Sequence, residues 1–163
     1  MKNKKGFTLI ELMVSITILV LLIGIGTVSL NAFNANQKIK ATRVELISNL
    51  KLARNYATTM QLPVGASGSL SYIDVTLAND GRISSRAKDV NDIGIGNTYF
   101  SRDVSPAGVN LSIGYSDAVN PYIRFAAYKG NLKNGNIIIT ISAPEVGTTN
   151  VVEISDSGLI NEK

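Results

Sequence analysis

The chain has 163 residues, of which 45% are hydrophobic and 17% charged, and its formal net charge is +4. This composition is too apolar for a disordered chain and suits one modest folded domain. The chain has no cysteine and no histidine, which excludes disulfides, thiol chemistry, Ser–His–Asp catalysis and histidine-ligated zinc.

The first thirty residues divide sharply into a basic part and an apolar part. Residues 1–6 are polar and carry three lysines, and an apolar run with a single charge, Glu11, follows over residues 7–28. A helix over this run would be about 33 Å long, enough to cross a hydrocarbon core of about 30 Å. The next basic residue is Lys38, so we expect a single-pass segment in the inner membrane with its N-terminus in the cytoplasm.

Gly6 and Glu11 distinguish this segment from simpler membrane signals. An ordinary secretory signal fits poorly, because here the small residue, Gly6, precedes the apolar run instead of following it. A plain membrane anchor does not explain Glu11, because an unpaired carboxylate costs about 2.5 kcal/mol or more near the membrane centre. We therefore expect Glu11 to be functional and to have a partner.

The stretch Lys5-Gly6-Phe7-Thr8-Leu9-Ile10-Glu11-Leu12 resembles the processing site of type IV prepilins and type II secretion pseudopilins. The resemblance implies that residues 1–6 are a leader peptide, cut off between Gly6 and Phe7 by a prepilin peptidase that also methylates the new amine of Phe7. It further implies that Glu11 pairs with this amine on a neighbouring subunit. Such a pair offsets the cost of two charges in an apolar bundle and fixes axial register. A pair within one helix, four residues apart, is the alternative.

Helical patterning continues beyond the apolar run. One stripe of apolar residues has spacings of four, three, four and three, and it comprises Leu46, Leu50, Ala53, Ala57 and Met60. We predict one long helix over residues 7–62, ended by Leu62-Pro63. Four basic residues fall largely outside the stripe: Lys40, Arg43, Lys51 and Arg54. We interpret them as a solvated face, with contact to DNA or acidic lipid as the alternative.

Residues 63–163 have the alternation of a β-rich globular head. The predicted strands are 72–77, 82–85, 109–115, 122–128, 136–142, 151–155 and 159–160. Residues 86–108 are predicted to be a long loop. Its neighbourhood holds four aspartates, Asp80, Asp89, Asp92 and Asp103, which we read as polar loop residues because no EF-hand spacing is present. The prediction is an α+β fold: a long N-terminal helix packed on an antiparallel β-sheet domain, with no catalytic, metal or cofactor site.

A second resemblance covers the helix end and the C-terminal half. The minor pseudopilin H and FimT group is similar to this chain in two places. One is residues 49–57, with a first strand then expected at Pro63-Val64, and the other is the set of apolar and glycine positions in residues 123–160. The resemblance implies a minor subunit, at the tip or in initiation, of a type IV pilus, type II secretion pseudopilus or DNA-uptake filament. The implied partners are other pilin or pseudopilin subunits, the prepilin peptidase, the inner-membrane assembly platform and membrane lipid. The assembled filament would be periplasmic or extracellular.

Two alternatives stay open. The chain could be a major pilin of the shaft, although Val28 stands where many major pilins have a proline. It could also be a pilus-associated receptor for DNA or another ligand. The basic C-terminal segment of DNA-binding FimT-type pilins is absent here, because the chain ends Leu159-Ile160-Asn161-Glu162-Lys163.

Overall fold

The computed structural model describes residues 7–78, 81–104, 109–115, 122–143 and 147–162, with the backbone alone at 24–29 and 111–115. One helix, α1 (Leu9–Thr58), precedes eight strands. The strands are β1 (Tyr72–Leu77), β2 (Arg82–Lys88), β3 (Gly94–Asp103), β4 (Asn110–Tyr115), β5 (Tyr122–Ala126), β6 (Ile137–Ala143), β7 (Thr148–Ile154) and β8 (Ile160–Glu162). The α+β prediction is confirmed.

The strands form two four-stranded antiparallel sheets. The first sheet has the order β3-β2-β1-β5, and the second has the order β4-β6-β7-β8. The predicted hairpin of β1 and β2 is present, closed by a hydrogen bond of 2.8 Å from the Ala78 amide to the Arg82 carbonyl. Gly81 has a φ of 84°, a conformation that this tight turn requires and glycine adopts readily. The intervening Asn79 and Asp80 lie outside the described residues.

The chain divides into two compact units, one up to Asn34 and the other from Ala35 onward. The predicted stripe of α1 contributes to the core of the second unit: Leu46, Leu50, Ala53 and Ala57 are each fully buried. Alternate residues of the strands complete that core, notably Ile73 and Val75 of β1, Ile123 and Phe125 of β5, and three isoleucines of β6. Among the described residues, no helix has both the length and the apolar character required to cross a membrane.

The helix ends at Thr58, earlier than the predicted Leu62-Pro63. Its last carbonyls are satisfied by a C-terminal cap, in which the Gln61 amide donates to Tyr56 O at 3.2 Å and the Met60 amide donates to Ala57 O at 3.3 Å. Met60 then turns the chain with a φ of 55°. The strand expected at Pro63-Val64 is absent, and the first strand begins only at Tyr72.

The prediction of a long loop over residues 86–108 is wrong for residues 86–88 and 94–103, which are strands, and residues 105–108 lie outside the described residues. The strand β2 continues to Lys88, and β3 occupies residues 94–103. The strand β3 lies at the edge of its sheet and is mostly exposed, with Phe100 its one buried residue. Backbone pairing to β2 therefore holds β3 in place. Its sequence lacks the alternation of apolar and polar residues by which a half-buried strand is predicted.

Candidate processing and assembly site

The start of α1 is defined by Thr8, the second residue after the predicted cleavage position. The Thr8 hydroxyl accepts a hydrogen bond of 3.3 Å from the Glu11 amide, and the Thr8 carbonyl accepts one from the Leu12 amide. This is the geometry of an N-cap, in which a threonine side chain satisfies an amide of the first helical turn. Glu11 stands in that first turn, where the positive end of the helix dipole favours a carboxylate.

Polar side chains in the apolar run differ in how they are satisfied. The hydroxyls of Ser15 and Thr17 each donate to a backbone carbonyl four residues earlier, at 2.8 Å in both cases. These side chains therefore need no partner outside their own helix. The Glu11 carboxylate has no hydrogen bond or ion pair within the described part of the chain. The Glu11 carboxylate is thus a charged group of this segment to which a cation from outside the helix would supply a partner.

The apolar surface around Glu11 is uncovered. Every large apolar side chain described between Phe7 and Ile23 is at least 52% exposed, and Phe7 itself is 78% exposed. These residues occur on all sides of the helix. This pattern is typical of a helix that is surrounded by other apolar helices or by lipid. A contiguous apolar surface of this extent marks a protein–protein or membrane contact.

The structure describes two of the three predicted site residues. Phe7 and Glu11 are both exposed, with Phe7 two residues before the start of α1 and Glu11 in its first turn. Gly6 lies outside the described residues, so the structure does not show the geometry of the proposed cleavage bond.

The basic residues of α1 do not form a uniform solvated face. Lys40 and Lys51 are exposed, whereas Arg43 forms an ion pair of 3.3 Å with Glu162. Arg54 donates hydrogen bonds to the carbonyls of Gly130 at 3.1 Å and Ser157 at 3.3 Å. Half of the predicted basic face therefore attaches α1 to β8 and to two turns of the C-terminal half, which weakens the case for a DNA-binding surface on this helix.

A charged cluster on the first sheet was missed by the sequence analysis. Arg124 of β5 makes two hydrogen bonds to Asp74 of β1, at 2.6 and 2.7 Å, and also pairs with Asp92. Its guanidinium lies 4.9 Å from the ring centroid of Tyr72 and 4.6 Å from that of Tyr122. The hydrogen bond to Asp74 raises the pKa of Arg124 above its ordinary value, although burial acts in the opposite direction.

The aspartates of the predicted loop do not converge. Asp89 closes a turn by accepting hydrogen bonds from the amides of Asn91 and Ile93, and Asp92 pairs with Arg124. Asp80 lies outside the described residues. No group of three acidic residues placed to hold a metal ion occurs within the ranges that the structure describes.

Comparison with known proteins adds two findings. Residues 1–27 match the family model of the prokaryotic N-terminal methylation motif, a range that includes Gly6, Phe7 and Glu11. Together with the long helix and antiparallel sheets, this match supports the pilin and pseudopilin family for the chain.

A solved structure shares the fold. It is the minor pseudopilin EpsH from the Type 2 Secretion System of Vibrio cholerae, with a TM-score of 0.53 and 11% sequence identity. The alignment covers 79% of this chain and 95% of that one. No curated protein matches the chain.

Proposed function

We propose that this chain is a minor structural subunit of a pilin-like filament. It is stored in the inner membrane, cut between Gly6 and Phe7, methylated on Phe7, and assembled through residues 7–28. Residues 1–6 are the leader, residues 7–62 the long helical segment, and residues 63–163 the head. The parent system is a type IV pilus, a type II secretion pseudopilus or a DNA-uptake filament, with the subunit at the tip or in initiation.

The observation that carries this proposal is the Glu11 carboxylate, which has no partner among the described residues and lies on an exposed apolar stretch of helix. Burial of a carboxylate in a bundle of such helices is costly unless a cation meets it. Cleavage after Gly6 would create a cation, the Phe7 amine, at the start of every subunit. A neighbour's amine is therefore a fitting partner for Glu11, and the pair would set the axial register between subunits.

Processing is tested by the intact mass of the protein recovered from membranes of cells with and without a prepilin peptidase. We expect a chain that begins at methylated Phe7 only when the peptidase is present. An uncut chain in both strains would refute the proposal and leave a membrane-anchored β-rich domain.

Assembly is tested separately with Glu11→Gln, which removes the charge and keeps the size of the side chain. We expect normal cleavage but at least a tenfold loss of the subunit from sheared filaments, because the Phe7 amine would lose its counter-charge. The matched control is Glu45→Gln, at an exposed position farther along the same helix, which should assemble normally. Equal incorporation of the two variants would exclude the proposed role of Glu11.

The minor position is supported by the fold shared with a minor pseudopilin and by Val28, where many major pilins have a proline. The measurement is the number of copies per filament, from quantitative mass spectrometry of sheared material. A minor subunit should be present at a few copies per filament, whereas an amount close to that of the main shaft protein would favour a major pilin. Other pilin or pseudopilin subunits, the assembly platform and membrane lipid are the proposed partners.

A further inference from the structure

The outer face of the first sheet bears a polar groove that the filament proposal does not use. In the register of the sheet, Asp74 lies between Arg86 and Arg124, and Thr76 lies between Ser84 and Tyr122. The groove has a volume of about 340 Å³. Besides Asp74, six side chains line it: Thr76, Ser84, Arg86, Lys88, Thr98 and Tyr122. This volume lies in the range typical of ligand sites.

The groove has two cations, Arg86 and Lys88, that form no ion pair with a carboxylate of the described residues. The acids Asp74 and Asp92 are both engaged by Arg124. Lys88 donates its ammonium proton to the carbonyl oxygen of Asp92 at 2.8 Å, which provides a dipole but not a negative charge. Arg86 is exposed and has no hydrogen bond or ion pair within the described residues. The three cations and two acids together leave the groove with a net positive charge.

Hydrogen-bond donors surround these two cations. The hydroxyls of Thr76 and Ser84 are 2.7 Å apart, and those of Thr98 and Tyr122 complete the lining. The stem of Arg86 lies across β3, because a Cβ added to Gly94 would be 3.0 Å from Arg86 Cδ. Guanidinium, ammonium and hydroxyl groups together suit a ligand with carboxylate or phosphate oxygens.

The spacing of the cations favours an extended peptide. Arg86 and Lys88 are alternate residues of β2, so they share a face of the strand and their Cα atoms are about 7 Å apart. Alternate acidic side chains of an extended segment have the same spacing and face the same way. One such segment laid along β2 would therefore meet both cations at once.

A single-stranded nucleic acid fits the groove less well. Binding of that kind requires aromatic rings on which bases can stack. Arg124 already lies against the rings of Tyr72 and Tyr122, and Lys133 lies 5.6 Å from the ring centroid of Tyr72. These rings contribute to the internal packing of the charged cluster instead of offering a free stacking surface.

We propose that this groove binds an extended acidic segment of a partner protein, with Arg86 and Lys88 contacting alternate carboxylates. The Thr98 hydroxyl and one hydroxyl of the hydrogen-bonded pair of Thr76 and Ser84 donate to the carboxylate oxygens. The proposal concerns the folded head and does not depend on cleavage or filament assembly.

The test uses the full chain in a neutral detergent and a capped, fluorescent peptide of alternating Glu and Ser. Fluorescence anisotropy should show binding that weakens as salt is raised, because the contacts are ionic. A peptide of alternating Gln and Ser is the ligand control. We expect Arg86→Gln combined with Lys88→Gln to weaken binding of the acidic peptide at least tenfold.

The matched protein control is Lys51→Gln combined with Lys129→Gln, which removes the same charge at two exposed positions outside the groove. It should change the affinity less than twofold. The swap of Arg86→Lys with Lys88→Arg keeps both charges and should bind within about threefold of the native chain, which separates loss of charge from loss of fold.

Three results would overturn the proposal: no binding of the acidic peptide, equal losses in the groove variant and the control variant, or tighter binding of a single-stranded thymidine oligonucleotide at the groove.

Discussion

Replacement of Gly158 by alanine tests how the C-terminal turns attach to the helix. Gly158 has a φ of 76°, and a Cβ at this position would lie 2.0 Å from the Gly130 carbonyl oxygen and 3.0 Å from Arg54 Nε. The nearest atom belongs to the backbone, so the two turns must separate to admit the methyl group. Arg54 donates to a carbonyl in each turn, and such a shift breaks or lengthens both hydrogen bonds.

The expected loss combines two contributions. An alanine with positive φ costs about 1–2 kcal/mol. The two hydrogen bonds of Arg54 contribute about 0.5–1.5 kcal/mol each. Gly158→Ala should therefore lower the free energy of unfolding by about 2–5 kcal/mol.

Gly65 provides a matched control. Its φ is 77°, almost the same as that of Gly158, but no atom lies within 4 Å of an added Cβ. Gly65→Ala should cost only the conformational share, about 1–2 kcal/mol. The assay is urea-induced unfolding of the full chain in detergent, followed by the near-ultraviolet circular dichroism of its tyrosines. A difference of less than about 0.5 kcal/mol between the variants would refute the close approach that the structure shows.

Three further predictions concern ionisable groups. Asp74→Asn should lower the free energy of unfolding by about 2–4 kcal/mol, and a double-mutant cycle with Arg124→Met should give a coupling of at least about 1 kcal/mol, so additive effects would contradict the pair. Arg43→Gln should cost less than about 1 kcal/mol in the same assay, because its partner Glu162 is largely exposed. Burial raises the pKa of Tyr99 from 10.0 to about 12, so the folded chain keeps a proton that the unfolded chain releases, and stability should fall between these pH values. In an ultraviolet titration of tyrosinate, Tyr99→Phe should remove the last step, and an unchanged titration would contradict this environment.

Elements with a periodic pattern were predictable from the sequence. The stripe of α1 around Leu46 and Leu50 is buried as expected, since a 3.6-residue period is a property of the local sequence. The β1–β2 hairpin was predictable for a similar reason, because its turn residues lie between two alternating segments. The edge strand β3 lacked such a pattern, and its pairing with β2 is visible only in three dimensions. The division into two sheets depends equally on long-range pairing.

The side-chain contacts that the sequence did not predict join residues that are far apart in the chain. Arg54 was expected in solvent, but its carbonyl partners lie 76 and 103 residues later in the chain. The pair of Asp74 and Arg124 left a faint signal, because β1 and β5 both begin with Tyr-Ile followed by a charge, of opposite sign in the two strands. Glu11 is the opposite case: a lone acid in an apolar run is evident from the sequence, and its pairing with Phe7 of another subunit stays a prediction.

The order of strands in the first sheet has a consequence for how the head folds. The strands β3, β2 and β1 form a meander of neighbours in the chain, but β1 acquires its second partner only when β5 returns from beyond β4. Closing so long a loop is slow compared with forming a hairpin. A chain emerging from its N-terminal end would therefore expose the free edge of β1 to other chains until β5 arrives, and this interval is when the head is most prone to aggregate.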